Sequence, residues 1–269
     1  MRNSPSLRHA LLSVAAVLFA TACLPLSAAD FDPVRPLRAT YLASNPAQAR
    51  LDAATGVISG PAADLARELA RRLGIPLSIT PVAGPQAVID SVKSGAADIG
   101  FVAYDAERAR DVAFSQTYLI AWNTYLVPVN SPLRNVAEVD LPGVRIGVGQ
   151  GDAGHLYLQR ALRHAELSPN PAGAIDIALK RLTAGEVDAY AANRTRLLEA
   201  AAKNPSVRVL PDNFFGVEQA IIVGKGEAVR LAAVNRLIAE ARASGMIQAA
   251  IERVGLKGVD VAPAGSPKR

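Results

Sequence analysis

Two arginines stand just ahead of an aromatic–serine–aromatic stretch in ERARDVAFSQTY, residues 107–118. A guanidinium is a planar fork of donors suited to gripping a carboxylate or other anion through two bonds. Arg108 and Arg110 are thus a candidate anion clamp, with a solvated helical turn as the alternative reading. A second candidate is GVGQGDAG, which spaces Gly149, Gly151 and Gly154 as G-x-G-x-x-G between a strand-like run and a helix-like one. Read alone, that is a dinucleotide fingerprint. It lies mid-chain behind an export-type leader, however, and a strand–loop–helix joint serves any anion. Gly151, Asp152 and Ala153 are therefore expected to face a small ligand, with helix capping as the alternative use of Asp152. A third candidate is Asn193-Arg194, an amide and a cation at the end of an apolar run. Arg194 would supply a second positive charge to an anionic solute. Tyr104 and Trp122 are candidate cleft walls, with packing beside a hinge as the commoner use of such aromatics. His155 and His164 have no cysteine partner, a weak metal pattern. Both are expected on helix surfaces, and no metal or cofactor is expected.

The elements that must position these groups alternate. Pro61 and Asp64 open a helix, Leu65, Leu69 and Leu73 recur on one face, and Gly74 closes it. Residues 75–80 read as a strand. Val88, Ile89 and Val92 form the next helical face, ended by Gly95, and residues 99–104 read as a buried strand. The order repeats with strands at 144–148 and 187–191 and helices at 156–162 and 175–182. Such alternation implies a parallel α/β sheet with crossover helices. SGAADIGFVAYD from Ser94 and AGEVDAYAANRT from Ala184 share a helix end, a glycine (Gly95, Gly185), and an aspartate three residues later (Asp98, Asp188). The match suggests two lobes on one plan. Ligands of open parallel sheets bind beyond the carboxyl ends of the strands, which would place the candidate residues in a shared cleft.

Arg2 and Arg8 precede an apolar stretch over residues 10–22, and Ser27-Ala28-Ala29 offers small residues for cleavage. This reads as a secretory signal peptide cut after Ala29. Cys23, the only cysteine, lies inside it, and lipid anchoring there is the second reading. The chain carries +5; losing Arg2 and Arg8, and no acid, lowers that to +3. No basic cluster interleaves with aromatics, so nucleic acid is not implied.

Five segments together resemble the family 3 extracellular solute-binding proteins. They are SGPAADLARELARRLGI (59–75), SVKSGAADI (91–99), AERARDVAFSQTY (106–118), LPGVRIGVGQGDA (141–153) and AGEVDAYAAN (184–193). The resemblance implies a two-lobed α/β type II periplasmic binding fold with a central ligand cleft. It implies lobe 1 from residues 30–120 and 226–262, lobe 2 from 121–225, and a flexible tail at 263–269. Arg108 matches the arginine that grips a ligand α-carboxylate. Ala153 stands where the family carries a carboxylate-binding threonine, and Asn193 where it carries the aspartate that pairs with a ligand ammonium. Ala47 and Gln48 replace an aromatic that stacks on ligand. The implied function is a monomeric periplasmic receptor that captures an amino acid or small carboxylate for an ABC permease. An anionic or zwitterion-tolerant solute is favoured over a cationic one. The rival is an enzyme on the same scaffold, similar to cyclohexadienyl dehydratases, with Asp152, Glu107 or His155 as acid or base; a non-transport sensor or protein-binding relative of the same fold is the third reading.

Overall fold

A computed structural model describes Phe31 and residues 35–266. The expected leader, Cys23 and the expected cleavage point after Ala29 lie outside the described residues. Twelve strands and seven α-helices are described. In the first half, β1 (Leu37–Leu42) lies between β4 (Leu77–Val82) and β5 (Ile99–Ala103), all parallel. Helix α1 (Pro61–Leu73), entered through the β2–β3 ribbon (Arg50–Leu51, Ile58–Ser59), crosses from β1 to β4. Helix α2 (Pro85–Lys93) crosses from β4 to β5. In the second half, β7 (Arg145–Gly149) lies between β8 (Glu166–Asn170) and β9 (Ala189–Asn193), again parallel, with crossovers α3 (Ala153–Ala161) and α4 (Ile175–Thr183).

Helix α1 forms as expected. Leu65, Leu69 and Leu73 are buried on one face, and Gly74 caps its end in the left-handed conformation at φ 68°. Only glycine adopts that geometry without a Cβ penalty. The repeated Gly-x-x-Asp joint has an equally local cause. Asp98 accepts the N–H of Arg38 at 2.8 Å and its Nε and Nη2 at 3.2 and 2.9 Å. Asp188 accepts the same three groups of Arg145 at 2.8, 3.0 and 2.9 Å. Each aspartate pins the start of its strand to an arginine at the beginning of the central parallel neighbour, Arg38 in β1 and Arg145 in β7. The repeat is a structural staple, one in each half. Burial pushes the Asp98 carboxyl up, but the Arg38 bonds and nearby Arg35 outweigh it, and the net shift is downward. Asp98→Ala should therefore cost about 1–3 kcal/mol, through the lost bonds and an unmatched Arg38. Asp188→Ala should cost less, because its side chain is 37% exposed where that of Asp98 is 6%. Chemical denaturation of the two variants side by side checks the order.

The halves meet through two long antiparallel strands, β6 (Val112–Pro128) and β11 (Phe215–Gly224). β11 pairs with β5, while β6 runs on to pair with β9 and with β10 (Val207–Val209). The result is one hydrogen-bonded ladder ordered β4-β1-β5-β11-β6-β9-β7-β8. Residues 219–222 of β11 pair with Gly100–Ala103 of the first half, so β11, like β6, spans the boundary between the halves. Helix α5 (Arg194–Lys203) covers the second half. Helices α6 (Ala228–Ala243) and α7 (Met246–Arg253) return to the core of the first half, where Leu237, Ile238 and Ile251 pack with Leu69 and Phe101. β12 (Val259–Val261) lies along β6, and Ser266, in the segment expected to be a tail, is buried and accepts the N–H of Thr117. Among the described residues no helix is long and apolar enough to cross a membrane.

Candidate functional site

The carboxyl ends of β5, β7 and β9 and the middle of β6 and β11 surround a cavity of about 50 Å³. That is room for roughly three to four water-sized groups. Arg108, Asp152, Ala153 and Asn193 line it, as do Asn45, Gln48, Asn123, Arg196 and Gln219.

Arg108 sits in a single helical turn directly after β5 and is buried. Its Nη1 donates to the Ala103 carbonyl at 3.0 Å and its Nη2 to the Gly151 carbonyl, across the cleft, at 2.6 Å. Burial presses this guanidinium below its usual pKa, opposed by the charges of Asp105 and Asp152. Gly151 thus touches Arg108 through its carbonyl. Arg110 points outward and pairs with Glu107, both exposed.

The glycines of GVGQGDAG have separate reasons. A Cβ on Gly149 would lie 2.2 Å from Asp152 Oδ2, and one on Gly154 would lie 2.8 Å from Asn123 Nδ2. Gly151 is left-handed at φ 72°. Asp152 precedes α3 but makes no capping bond. Its Oδ1 is shut from solvent without a partner, and burial, opposed by Arg196 and Arg108, pushes its carboxyl up to about 6. His155, expected on a surface, is buried. Its Nδ1 accepts the Gly151 N–H at 3.1 Å, and burial lowers its pKa. The first turn of α3 folds back on its own loop, which exposed-helix reasoning does not anticipate.

Asn193 caps α5, accepting the Arg196 N–H at 2.8 Å, and donates to Asn45 Oδ1 at 3.0 Å across the cleft. Asn45 and Gln48 donate to Gln219 Oε1 at 3.3 and 2.8 Å, and Gln48 accepts the Leu42 N–H at 3.0 Å. These amides are committed to one another.

Two expected site residues lie elsewhere. Tyr104 packs edge-on against Phe114, ring centres 5.2 Å apart, and does not line the cavity. Arg194 points away: it donates to Asn213 Oδ1 at 2.7 Å and to the carbonyls of Leu210, Pro211 and Asp212 at 2.6–2.9 Å. As the first residue of α5 it leaves the strand on the outer side. The second-half cation in the cavity is Arg196, two residues on, which is 7% exposed and whose Nη2 has no partner. The capping asparagine was the available signal, since a cap fixes which residue of the first turn faces the strand ends. Trp122 Nε1 donates to Asp260 at 2.6 Å, outside the cavity. The described residues contain no cluster of histidine, cysteine, aspartate or glutamate suited to a metal.

The raised pKa of Asp152 has a sign that can be tested. The folded state holds this proton between about pH 4, the unfolded value, and about 6. Stability from this group is therefore lost as pH rises through that window. Asp152→Asn should raise the melting temperature of solute-free protein at about pH 7.5 and leave it nearly unchanged near pH 4, read by differential scanning calorimetry.

Residues 38–256, well over half the chain, match the bacterial extracellular solute-binding proteins, family 3. The L-cystine-binding protein TcyJ of Escherichia coli (strain K12) is 28% identical over 204 residues, 74% of each chain. The arginine-bound form of truncated ArgBP from T. maritima superposes with a TM-score of 0.65 at 26% identity, covering 76% of this chain and 95% of that one. The amino acid ABC transporter substrate-binding protein AbpA from Streptococcus pneumoniae, bound to L-arginine, gives a TM-score of 0.69 at 22% identity, covering 81% and 93%. The two halves on one plan, the crossing strands and the cleft between them are the two-lobed periplasmic binding fold of these structures, and the chain belongs to the family 3 bacterial extracellular solute-binding proteins.

Proposed function

We propose that the protein is a periplasmic receptor that captures a compact amino acid or related small carboxylate between its lobes and presents it to an ABC permease. The observation that carries this is the pair of buried arginines, Arg108 and Arg196, brought to one small cavity from opposite halves. Buried cations without carboxylate partners are costly, and a bound carboxylate offsets that cost. The names of the relatives point the same way: TcyJ binds L-cystine, and two solved relatives hold arginine. Direct bonds already bridge the halves at Arg108–Gly151, Asn193–Asn45 and Arg160–Asp105, with an Arg50–Glu199 ion pair beside them. This is the closed arrangement that a permease would read. We take 30–120 with 226–262 as lobe 1 and 121–225 as lobe 2, with β6 and β11 as the crossings.

Binding without chemistry is favoured by the placement of the rival acid–base set. Glu107 is exposed on Arg110, and the Nδ1 of His155 is occupied, which leaves Asp152 as the one carboxylate in the cavity. Native mass spectrometry of protein taken from its own host's periplasm tests the proposal. The expected result is a retained solute with an amino or carboxyl group, released unchanged on denaturation. Turnover of a retained or added carboxylate would support the enzyme instead.

A further inference from the structure

We propose that His155 is a positioning residue for the cleft: its neutral ring holds Gly151 so that the Gly151 carbonyl meets Arg108 of the other half, and protonation of the ring opens the cleft. This regulation of the cleft rests on the receptor reading above, and the clasp itself can be followed without solute.

Gly151 is held from both sides. Its N–H donates to His155 Nδ1 at 3.1 Å, and its carbonyl accepts Arg108 Nη2 at 2.6 Å across the cleft. It lies between the end of β7 and the start of α3 with φ at 72°, so neither element's hydrogen bonds fix its direction. His155 is buried and is the third residue of α3. From there a side-chain acceptor can reach back to a backbone N–H ahead of the helix, as in a capping box. Here the acceptor is an imidazole nitrogen, so the bond exists in one protonation state and not in the other. The same helix makes a second contact with the turn that carries Arg108. Arg160 reaches Asp105 at 3.4 Å, and Asp105 accepts the Glu107 N–H at 2.9 Å. The loop and helix that carry His155 therefore clasp the segment that carries Arg108.

An accepting Nδ1 carries no proton, so the ring is neutral with its proton on Nε2. Protonation would set an Nδ1–H against the Gly151 N–H, two donors facing each other. It would also place a cation in the first turn of α3, where the helix dipole disfavours it. Arg108 adds positive charge on the carbonyl side of Gly151. The charged ring must then leave Gly151, and Arg108 loses its fixed carbonyl. Helix α3 packs on β7, β8, β9 and β11. The titratable groups of those strands are Arg145, Glu166, Tyr190 and Glu218, and those of its own helix and loop are Asp152, Tyr157 and Arg160. Burial, not a neighbouring charge, lowers the pKa of the ring. The closed form therefore keeps its full stability above the unfolded value of about 6.5 and loses it as pH falls through the lower folded value.

The full chain, without its leader, is freed of solute by unfolding and refolding. Nitrogen NMR of the imidazoles should show His155 unprotonated on Nδ1 at about pH 7.5, with His164→Gln removing the other histidine signal. Small-angle scattering from about pH 7.5 to about pH 5 should show the radius of gyration rising toward that of Arg108→Ala, with a midpoint below about 6.5. His155→Asn keeps an acceptor at the place of Nδ1 but does not titrate, and it should stay closed across the range. Asp152 also titrates there, but it is present in both proteins, so the difference belongs to His155. His155→Leu should be open at both ends of the range. Added to Arg108→Ala, it should open the protein no further, whereas a merely structural role would add its own effect. A ring protonated on Nδ1, a His155→Leu protein as closed as the wild type, or a His155→Asn protein that opens at the wild-type midpoint would overturn the proposal. If His155→Leu does not fold, His155→Asn and the ring tautomer decide. Turnover of an added carboxylate, with these results unchanged, would overturn the receptor reading and leave the clasp standing.

Discussion

Arg108→Ala should shift the solute-free protein toward an open form and weaken solute binding by about 30-fold to a few thousandfold, or about 2–5 kcal/mol. The residue is buried after β5 and reaches two carbonyls, Ala103 in its own half and Gly151 in the other. Alanine removes both bonds. It also removes one of the two positive charges that hold Asp152 below the value burial alone would give it. The pKa of Asp152 should rise further, so the variant should carry more of its Asp152 protonated at neutral pH. Opening lets the freed carbonyls meet water, which limits the loss of global stability. The larger change is therefore expected in domain closure and affinity. Small-angle scattering should show a larger radius of gyration than the wild type, and calorimetry the lost affinity. Arg110→Ala is the control: its guanidinium is exposed and pairs only with exposed Glu107, so its effect on stability should stay within about 0.5 kcal/mol. Equal, small losses for both variants would mean that the cleft is not held by Arg108.

The sequence made the layers of this fold legible because they follow local rules. Periodic leucines in α1, the left-handed glycine after it, and the aspartates that staple each strand to its neighbour are set by residues close in sequence or one strand away. Arg108 was legible through its match to the family motif, and it lies in the short helical turn that follows the buried strand β5. What the sequence did not show was direction around a helix start. Arg194 and Arg196 are both cations next to Asn193, and only the geometry of the cap places Arg196 in the cavity and Arg194 on the carbonyls of residues 210–212. Nor did the sequence show the amide network. Gln219 stands 171 residues from Gln48, and its use depends on β11 lying between β5 and β6. Alternation along β5 and the residue after it turns Tyr104 away from the cavity. Ala103 lines the cavity, so its immediate strand neighbour must face the other side, toward Phe114.

Gly149→Ala is expected to weaken solute binding strongly, although the substitution adds one methyl group and touches no solute. The glycine is at the end of β7, and a Cβ there would lie 2.2 Å from Asp152 Oδ2 and 3.0 Å from its Cγ. Neither approach is tolerable, so the carboxylate must swing away from the strand end. Backbone accommodation is resisted on the other side, where β8 pairs Gly149 with Asn170. Overpacking of this kind costs about 1–3 kcal/mol of stability. Part of that cost is returned in solute-free protein if the displaced carboxylate reaches water, because its burial is what raises its pKa. The melting temperature should therefore fall only modestly while affinity falls by about 30-fold or more. Gly151→Ala separates packing from backbone conformation. Nothing lies within 4 Å of its Cβ position, but φ is 72°, so it should cost about 1 kcal/mol through left-handed strain alone and leave Asp152 in place. If the G-x-G-x-x-G spacing served a phosphate, all three glycines would matter through anion binding, and inorganic phosphate would raise the melting temperature in the wild type and in none of the variants. If it serves to let Asp152 and Asn123 approach the backbone, as the 2.2 and 2.8 Å approaches indicate, phosphate should do nothing. Gly149→Ala should then reproduce the flat pH profile of Asp152→Asn, and calorimetry at two pH values distinguishes the cases.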